Sequence, residues 1–286
     1  MKTPTRTFFI ALLIFPGCSH WKFTKYRRSD TNYAWLLSVP KRTFSVHYVN
    51  TGTYNMRFLS VGDTNLPTLL LIHGAPGSIE TFDPFLLDTG ITNHVRLLAM
   101  DRTGYGYSNF GKPDTSVMQQ AKTLKSALEN YFHLKNYSAL GYSYGGPVAA
   151  VLASLDTAKV QKLFLVSASL APGKEKTYAI SKMIKNPFWG HAFPKVYRTA
   201  NIEKLSHLSA LNEVRFLYQT IRCEVYIVHG LNDKLIYPGN AMYMQQSLVA
   251  ADSVALYTEK GGHRAIIWNN KNYIQQLILN ELIASN

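Results

Sequence analysis

Acidic side chains are scarce in this chain: 17 Asp and Glu stand against 30 Lys and Arg in 286 residues, a formal charge of +13, although only 16% of residues are charged. The positive balance owes as much to missing carboxylates as to added bases. No basic run interleaved with aromatics sits on one evident face, which argues against a nucleic-acid-binding protein. Cysteine is nearly absent. Cys18 and Cys223 allow at most one bridge, which excludes a disulfide scaffold, and no Cys/His spacing of a transition-metal site accompanies them. A bilayer-spanning run is lacking too, because the apolar stretch at 8–15 stops at Pro16 and a transmembrane helix needs roughly 20 apolar residues. Internal repeats and low-complexity segments are missing. What is present is a hydrophobic content of 47%, ample for a large core and incompatible with a disordered chain.

At the amino terminus, Lys2 and Arg6 precede the apolar run, and Pro16, Gly17 and Cys18 follow it. This is the charged, apolar and small-residue order of an export signal. Gly17-Cys18 in this position resembles a bacterial lipoprotein processing site. That resemblance implies cleavage before Cys18, lipidation of Cys18 and attachment to a cell-envelope membrane surface; a secreted or periplasmic protein and an uncleaved anchor are the alternatives. Residues 18–42 carry Lys22, Lys25, Arg27 and Arg28 with Asp30 as their only acid. They read equally as a tether lying on anionic headgroups and as an extension packed on the domain.

From residue 43 onward, short apolar runs alternate with longer amphipathic stretches, the pattern of a largely parallel sheet with crossover helices. A hairpin is expected at 43–49 and 55–61, and further strands at 68–73, 95–100, 137–140, 160–166, 224–229 and 253–257. Helices are expected at 117–132, 146–155, 239–248 and 273–283. The expected fold class is therefore α/β, with a mostly parallel eight-stranded sheet flanked by helices. Residues 171–217 break the alternation and read as an inserted helical cap, with helical pieces at 177–184 and 202–208. A structureless stretch of that length inside one domain would be unusual.

Gly141-Tyr142-Ser143-Tyr144-Gly145 is G-x-S-x-G directly after an apolar strand and before a helix-compatible run. In that context the turn is tight enough to strain the serine backbone and raise its hydroxyl to the top of the sheet. A serine hydroxyl is a weak nucleophile at neutral pH and needs a base, which in turn needs an orienting acid. Asp233, just past the strand at 224–229, and His263, past the last strand, supply both in the order serine, acid, histidine. Ser143, Asp233 and His263 are thus the expected catalytic residues. The backbone N–H groups of Tyr144 and Ala75 are the expected oxyanion hole, Ala75 lying in the loop His73-Gly74-Ala75-Pro76-Gly77 after an earlier strand. His73 reads as a structural residue of that loop.

Taken together, these motifs and Asp101-Arg102-Thr103-Gly104-Tyr105-Gly106-Tyr107-Ser108 resemble the α/β-hydrolase fold family over about residues 43–286. The resemblance implies that the D-x-x-G-x-G-x-S turn is structural and that 171–217 covers the active site. Relatives with an aspartate nucleophile displace at sp³ carbon; Ser143 favours acyl chemistry on a small-molecule ester, thioester or amide, with no metal or other cofactor. Tyr142, Phe188 and Trp189 are candidate substrate-binding aromatics. A proline iminopeptidase resembles the chain in its H-G-x-P-G loop but departs at Arg102-Thr103 and Tyr144. It would also need acids for a substrate ammonium, whereas the cap holds eight bases against Glu175, Glu203 and Glu213. A catalytically idle, surface-anchored binding protein of the same fold is the other alternative. Oligomeric state is not legible in the sequence.

Overall fold

The computed structural model describes residues 26–283 except 41, 175, 177, 178, 187 and 189. The export signal, Cys18 and Trp189 lie outside the described residues. Eight strands form one sheet: β1 (Phe44–Asn50), β2 (Asn55–Val61), β3 (Thr68–Ile72), β4 (Arg96–Met100), β5 (Tyr137–Tyr142), β6 (Val160–Val166), β7 (Glu224–Gly230) and β8 (Val254–Glu259). Their spatial order is β1-β2-β4-β3-β5-β6-β7-β8. Only β2 runs antiparallel to its neighbours, β1 and β4; every pair from β4 to β8 is parallel. The middle strands are buried along their whole length, as a sheet covered on both faces requires.

The longer helices are α1 (Asp30–Ser38), α2 (Val117–Asn130), α3 (Gly145–Leu155), α4 (Ile180–Lys185), α5 (Lys195–Val214), α6 (Gly239–Ser247), α7 (His263–Trp268) and α8 (Lys271–Ile283). One face of the sheet packs on α2, α3 and α6, and the other on α1, α7, α8 and the short helical turns Asp83–Leu86 and Thr89–Thr92, giving two hydrophobic clusters. Cys223 is a free, buried thiol within the first.

Several boundaries differ from the sequence expectation. Strand β5 continues past Leu140 because Gly141 and Tyr142 still pair with Leu165 and Val166 of β6. Between β6 and β7, α5 is one helix over Lys195–Val214 and not a short piece at 202–208. Pro194 is its N-cap and no Pro or Gly interrupts it, so nothing in the backbone stops propagation. Its buried face includes Thr199, Glu203 and His207, and polar residues on that face hide the amphipathic period that sequence reading relies on.

Residues 26–40 pack against the domain. Tyr33 and Leu37 of α1 are fully buried, Arg57 Nη2 lies 2.6 Å from Asp30 Oδ1, and Arg28 Nη1 lies 2.5 Å from Asp83 Oδ2. Among the described residues no helix is long and apolar enough to cross a membrane.

Candidate active site

Ser143 stands in the turn between β5 and α3 with φ +54°, a left-handed conformation that costs a non-glycine residue about 1 to 3 kcal/mol. The close approach that forces this turn is visible at its glycines. A Cβ on Gly145 would meet Ile72 O at 2.1 Å, and one on Gly141 would meet Gly145 O at 2.6 Å. The Ser143 N–H donates to Val166 O at 3.0 Å, which ties the turn to β6.

Two loops from the carboxyl side of the sheet meet the serine. His263, the first residue of α7, places Nε2 at 2.9 Å from Ser143 Oγ and Nδ1 at 2.7 Å from Asp233 Oδ2. Asp233 follows β7 and is buried; its Oδ1 accepts the N–H groups of Leu235 and Ile236, each at 2.9 Å. Burial pushes its pKa upward, but the hydrogen bond and charge of His263 and these two N–H donors outweigh it and hold the carboxyl below its ordinary value. The Tyr142 ring stacks on the His263 imidazole at 5.1 Å, and its hydroxyl donates to His263 O at 3.0 Å. Tyr142 therefore braces the histidine.

The N–H groups of Ala75 and Tyr144 have no acceptor among the described residues, and both residues border the cavity at Ser143. His73 is fully buried with both ring nitrogens engaged. Its Nε2 accepts the Arg102 N–H at 2.9 Å, so Nδ1 carries the proton and donates to Gly74 O at 2.7 Å. Burial first, then the Arg102 charge, lowers its pKa well below the histidine range, keeping it neutral. Asp101 is likewise structural: it accepts the N–H groups of Ile79 and Tyr107 at 2.9 and 3.0 Å.

Two cavities meet at Ser143. The first, about 300 Å³, lies beneath α4 and α5 and is bordered by apolar residues including Ile180, Ile184, Ala200 and Ile236, with Tyr144 and Tyr197 among them. The second, about 260 Å³, is bordered by Tyr26, Arg28, Glu80, Tyr142, His263 and Arg264. Phe188 corrects the sequence expectation: it is 77% exposed and borders neither cavity.

Sequence reading missed a buried cluster under α5. Arg102 donates to both carboxylate oxygens of Glu203 at 2.8 and 3.0 Å and to Gln120 Oε1 at 2.8 Å, while the Tyr105 hydroxyl donates to Glu203 at 2.6 Å. Beside it, His207 Nε2 lies 2.9 Å from Ser169 Oγ and its ring packs on Tyr144 at 4.6 Å. Residues 102 and 203, like 169 and 207, share no local motif, so only their polar identity on a buried helix face could have signalled them. No cluster of His, Cys, Asp and Glu suited to a metal ion occurs among the described residues.

A family profile described as alpha/beta hydrolase fold matches residues 67–200. A 1-acylglycerol-3-phosphate O-acyltransferase of Arabidopsis thaliana is 29% identical over 128 residues, covering 43% of this chain and 28% of the relative. A proline iminopeptidase of Lactobacillus delbrueckii subsp. lactis is 27% identical over 142 residues, 48% of each protein. This chain thus spans less than half the length of these curated relatives. Among solved structures, 2-hydroxy-6-oxo-6-phenylhexa-2,4-dienoate hydrolase from Rhodococcus sp. strain RHA1 superposes with a TM-score of 0.66 at 17% identity, covering 83% of this chain and 98% of that one. The chain has the α/β-hydrolase fold.

Proposed function

We propose that this protein is a serine hydrolase acting on carboxylic esters, with Ser143 as nucleophile, His263 as base and acid, and Asp233 as the orienting acid. The hydrogen-bonded chain from Ser143 Oγ through His263 to Asp233 carries this reading. His263 Nε2 takes the Ser143 proton as Oγ attacks the acyl carbon, and Asp233 holds the opposite nitrogen protonated and steadies the imidazolium. The negative charge that develops on the acyl oxygen meets the unengaged N–H groups of Ala75 and Tyr144, a contribution of roughly 3 to 4 kcal/mol per donor in comparable sites. His263 then protonates the departing oxygen, and a water activated by the same ring hydrolyses the acyl-enzyme. The nucleophile suits thioesters and amides as well, and the apolar cavity of about 300 Å³ under α5 would hold a small or medium acyl group in any of the three.

An aminopeptidase reading is less well supported. Its substrate ammonium would need an available carboxylate: Glu203 is fully buried in its pair with Arg102, Glu213 is exposed and borders neither cavity, and Glu80 and Asp83, which border the second cavity, already accept the N–H groups of Tyr26 and Arg28 and the Arg28 guanidinium. Lys176 and Lys204 border the first cavity instead. The unengaged oxyanion donors weigh against a catalytically idle fold. We also propose export and lipidation at Cys18, on the pattern of residues 1–18; mass spectrometry of the mature amino terminus tests it, and an unmodified or uncleaved terminus would exclude it.

Protein lacking residues 1–20 should hydrolyse p-nitrophenyl butyrate and accept a fluorophosphonate label on Ser143. Ser143→Ala should abolish labelling and lower kcat by about 10⁴-fold or more. An unchanged rate in that variant would overturn the assignment.

A further inference from the structure

If Ser143 and His263 act as a serine hydrolase, each half of the substrate is allotted to a cavity, and the chamber assignment rests on that reading. When the tetrahedral intermediate collapses, the bond from the acyl carbon to the leaving oxygen breaks, its electron pair goes to that oxygen, and His263 Nε2 delivers the proton. The leaving group must therefore lie on the His263 side of Ser143. His263 borders the second cavity and not the first, whereas Ala75 and Ser143 border both. The apolar cavity beneath α5 is then the acyl chamber, and the cavity walled by Tyr26, Arg28, Glu80 and Arg264 is the leaving-group chamber.

The charges of this second chamber are unevenly used. Glu80 accepts the N–H groups of Tyr26 and Arg28 at 3.4 and 2.5 Å. Asp83 accepts from Arg28 Nη1 at 2.5 Å and from the Tyr33 hydroxyl at 3.2 Å. Arg28 is held by Asp83. Arg264, the residue after the histidine, has an exposed side chain and no ion pair or hydrogen bond with any described residue. Glu80 has no ion pair either, but its carboxylate is taken up by the two backbone N–H groups; of the two cations in the chamber wall, Arg28 is paired with Asp83 and Arg264 has no ion-pair partner among the described residues, and Arg264 stands beside the residue that protonates the leaving oxygen. A guanidinium there presents a planar set of donors that matches a phosphate or carboxylate in two-point fashion.

We propose that the second chamber selects esters whose alcohol carries a phosphate, held by Arg264, with Tyr26 and Arg28 of the amino-terminal segment completing the wall. The same chemistry could come from a soluble phosphorylated alcohol or from the headgroup of a lysophospholipid at a lipid surface.

The test compares kcat/KM for two matched pairs: the butyrate esters of glycerol 3-phosphate and of glycerol in solution, and a lysophosphatidic acid and the monoacylglycerol of the same long chain in neutral detergent micelles. The phosphate ester should be preferred by about tenfold or more at low salt, the size expected of a charge-assisted two-point contact. Arg264→Gln should bring the ratio to within about twofold of one, and Arg264→Lys should restore part of it. Preference in both pairs identifies a soluble phosphate ester as sufficient; preference in micelles alone identifies the lipid headgroup. A wild-type ratio near one in both pairs, with the neutral esters still hydrolysed, overturns the chamber assignment and leaves the hydrolase standing. A preference that survives Arg264→Gln overturns the role of Arg264. Absence of turnover on all four esters together with absence of fluorophosphonate labelling overturns both readings.

Discussion

Asp233 keeps its carboxyl ionised below the usual range because His263, Leu235 and Ile236 surround it, and that stabilisation is present above the unfolded value and lost as pH falls through the depressed one. Asp233→Asn should retain the fold near neutral pH but lower kcat by about 10³ to 10⁴-fold, since the histidine loses its preferred tautomer, as steady-state kinetics would show. His207 behaves in the opposite sense. Burial, then the Lys204 charge, lowers its pKa from 6.5 to about 3. The unfolded chain takes up this proton near pH 6.5 and the folded one only near 3, so stability is complete above the first value and falls as pH drops between them. At pH 5 the cost is about 2 kcal/mol. His207→Phe should shrink the loss of unfolding free energy between pH 7.5 and pH 5 by about that amount, measured in urea; an unchanged difference would show that His207 is protonated in the folded protein.

At the scale of elements, α5 is held over the site by charge. The Arg102 guanidinium lies between the rings of Tyr105 and Tyr144, 4.9 and 4.6 Å from their centres, and reaches up to Glu203, with both charged groups fully buried. A buried pair of this kind is costly to break and cheap to replace as a whole. Glu203→Gln, which leaves the Arg102 charge uncompensated, should destabilise by about 3 kcal/mol, whereas Arg102→Met with Glu203→Leu should be less destabilised than either single variant, as thermal denaturation would report. The turn holding Ser143 tolerates less. In Gly145→Ala the new methyl would overlap a backbone carbonyl that cannot move aside, so we expect loss of soluble folded protein and not a graded fall in rate. The strands, the elbow and most helices were legible in the sequence because their signals are local: apolar runs, glycines, and a serine at fixed spacing. The full length of α5 was not, because Thr199, Glu203 and His207 occupy its buried face.

For the whole molecule, the positive charge has a distribution. Lys2 and Arg6 belong to the expected export signal, and Arg27 and Arg28 turn inward: Arg27 donates to Gly106 O at 2.9 Å and lies over the Tyr107 and Phe110 rings, and Arg28 pairs with Asp83. Residues 26–38 are accordingly part of the folded domain and part of a cavity wall at Ser143. A chain beginning at residue 26 keeps every described contact and should unfold at the same temperature as one beginning at residue 21. A chain beginning at residue 39 loses the fully buried Tyr33 and Leu37 and should be about 3 to 6 kcal/mol less stable, at roughly 1.5 to 3 kcal/mol per large apolar side chain, by calorimetry. Equal stability would show that α1 contributes no net packing.

The amino-acid sequence by itself determined the sheet-and-helix alternation and the turn at Ser143. Each depends on hydrophobic period or on residues a few positions apart, and local backbone sterics read such spacing directly; Asp233 and His263 are singled out by the serine, acid, histidine order of hydrolases and by their places after strands, not by spacing from Ser143. Tertiary structure alone decided that Tyr142 braces His263, that Phe188 is exposed and borders neither cavity, that Glu203 answers Arg102 from far along the chain, and that Tyr26 and Arg28 wall a cavity at Ser143. These are contacts between segments far apart in sequence. Their partners are chosen by which faces the closed sheet brings together, and no spacing along the chain encodes that choice.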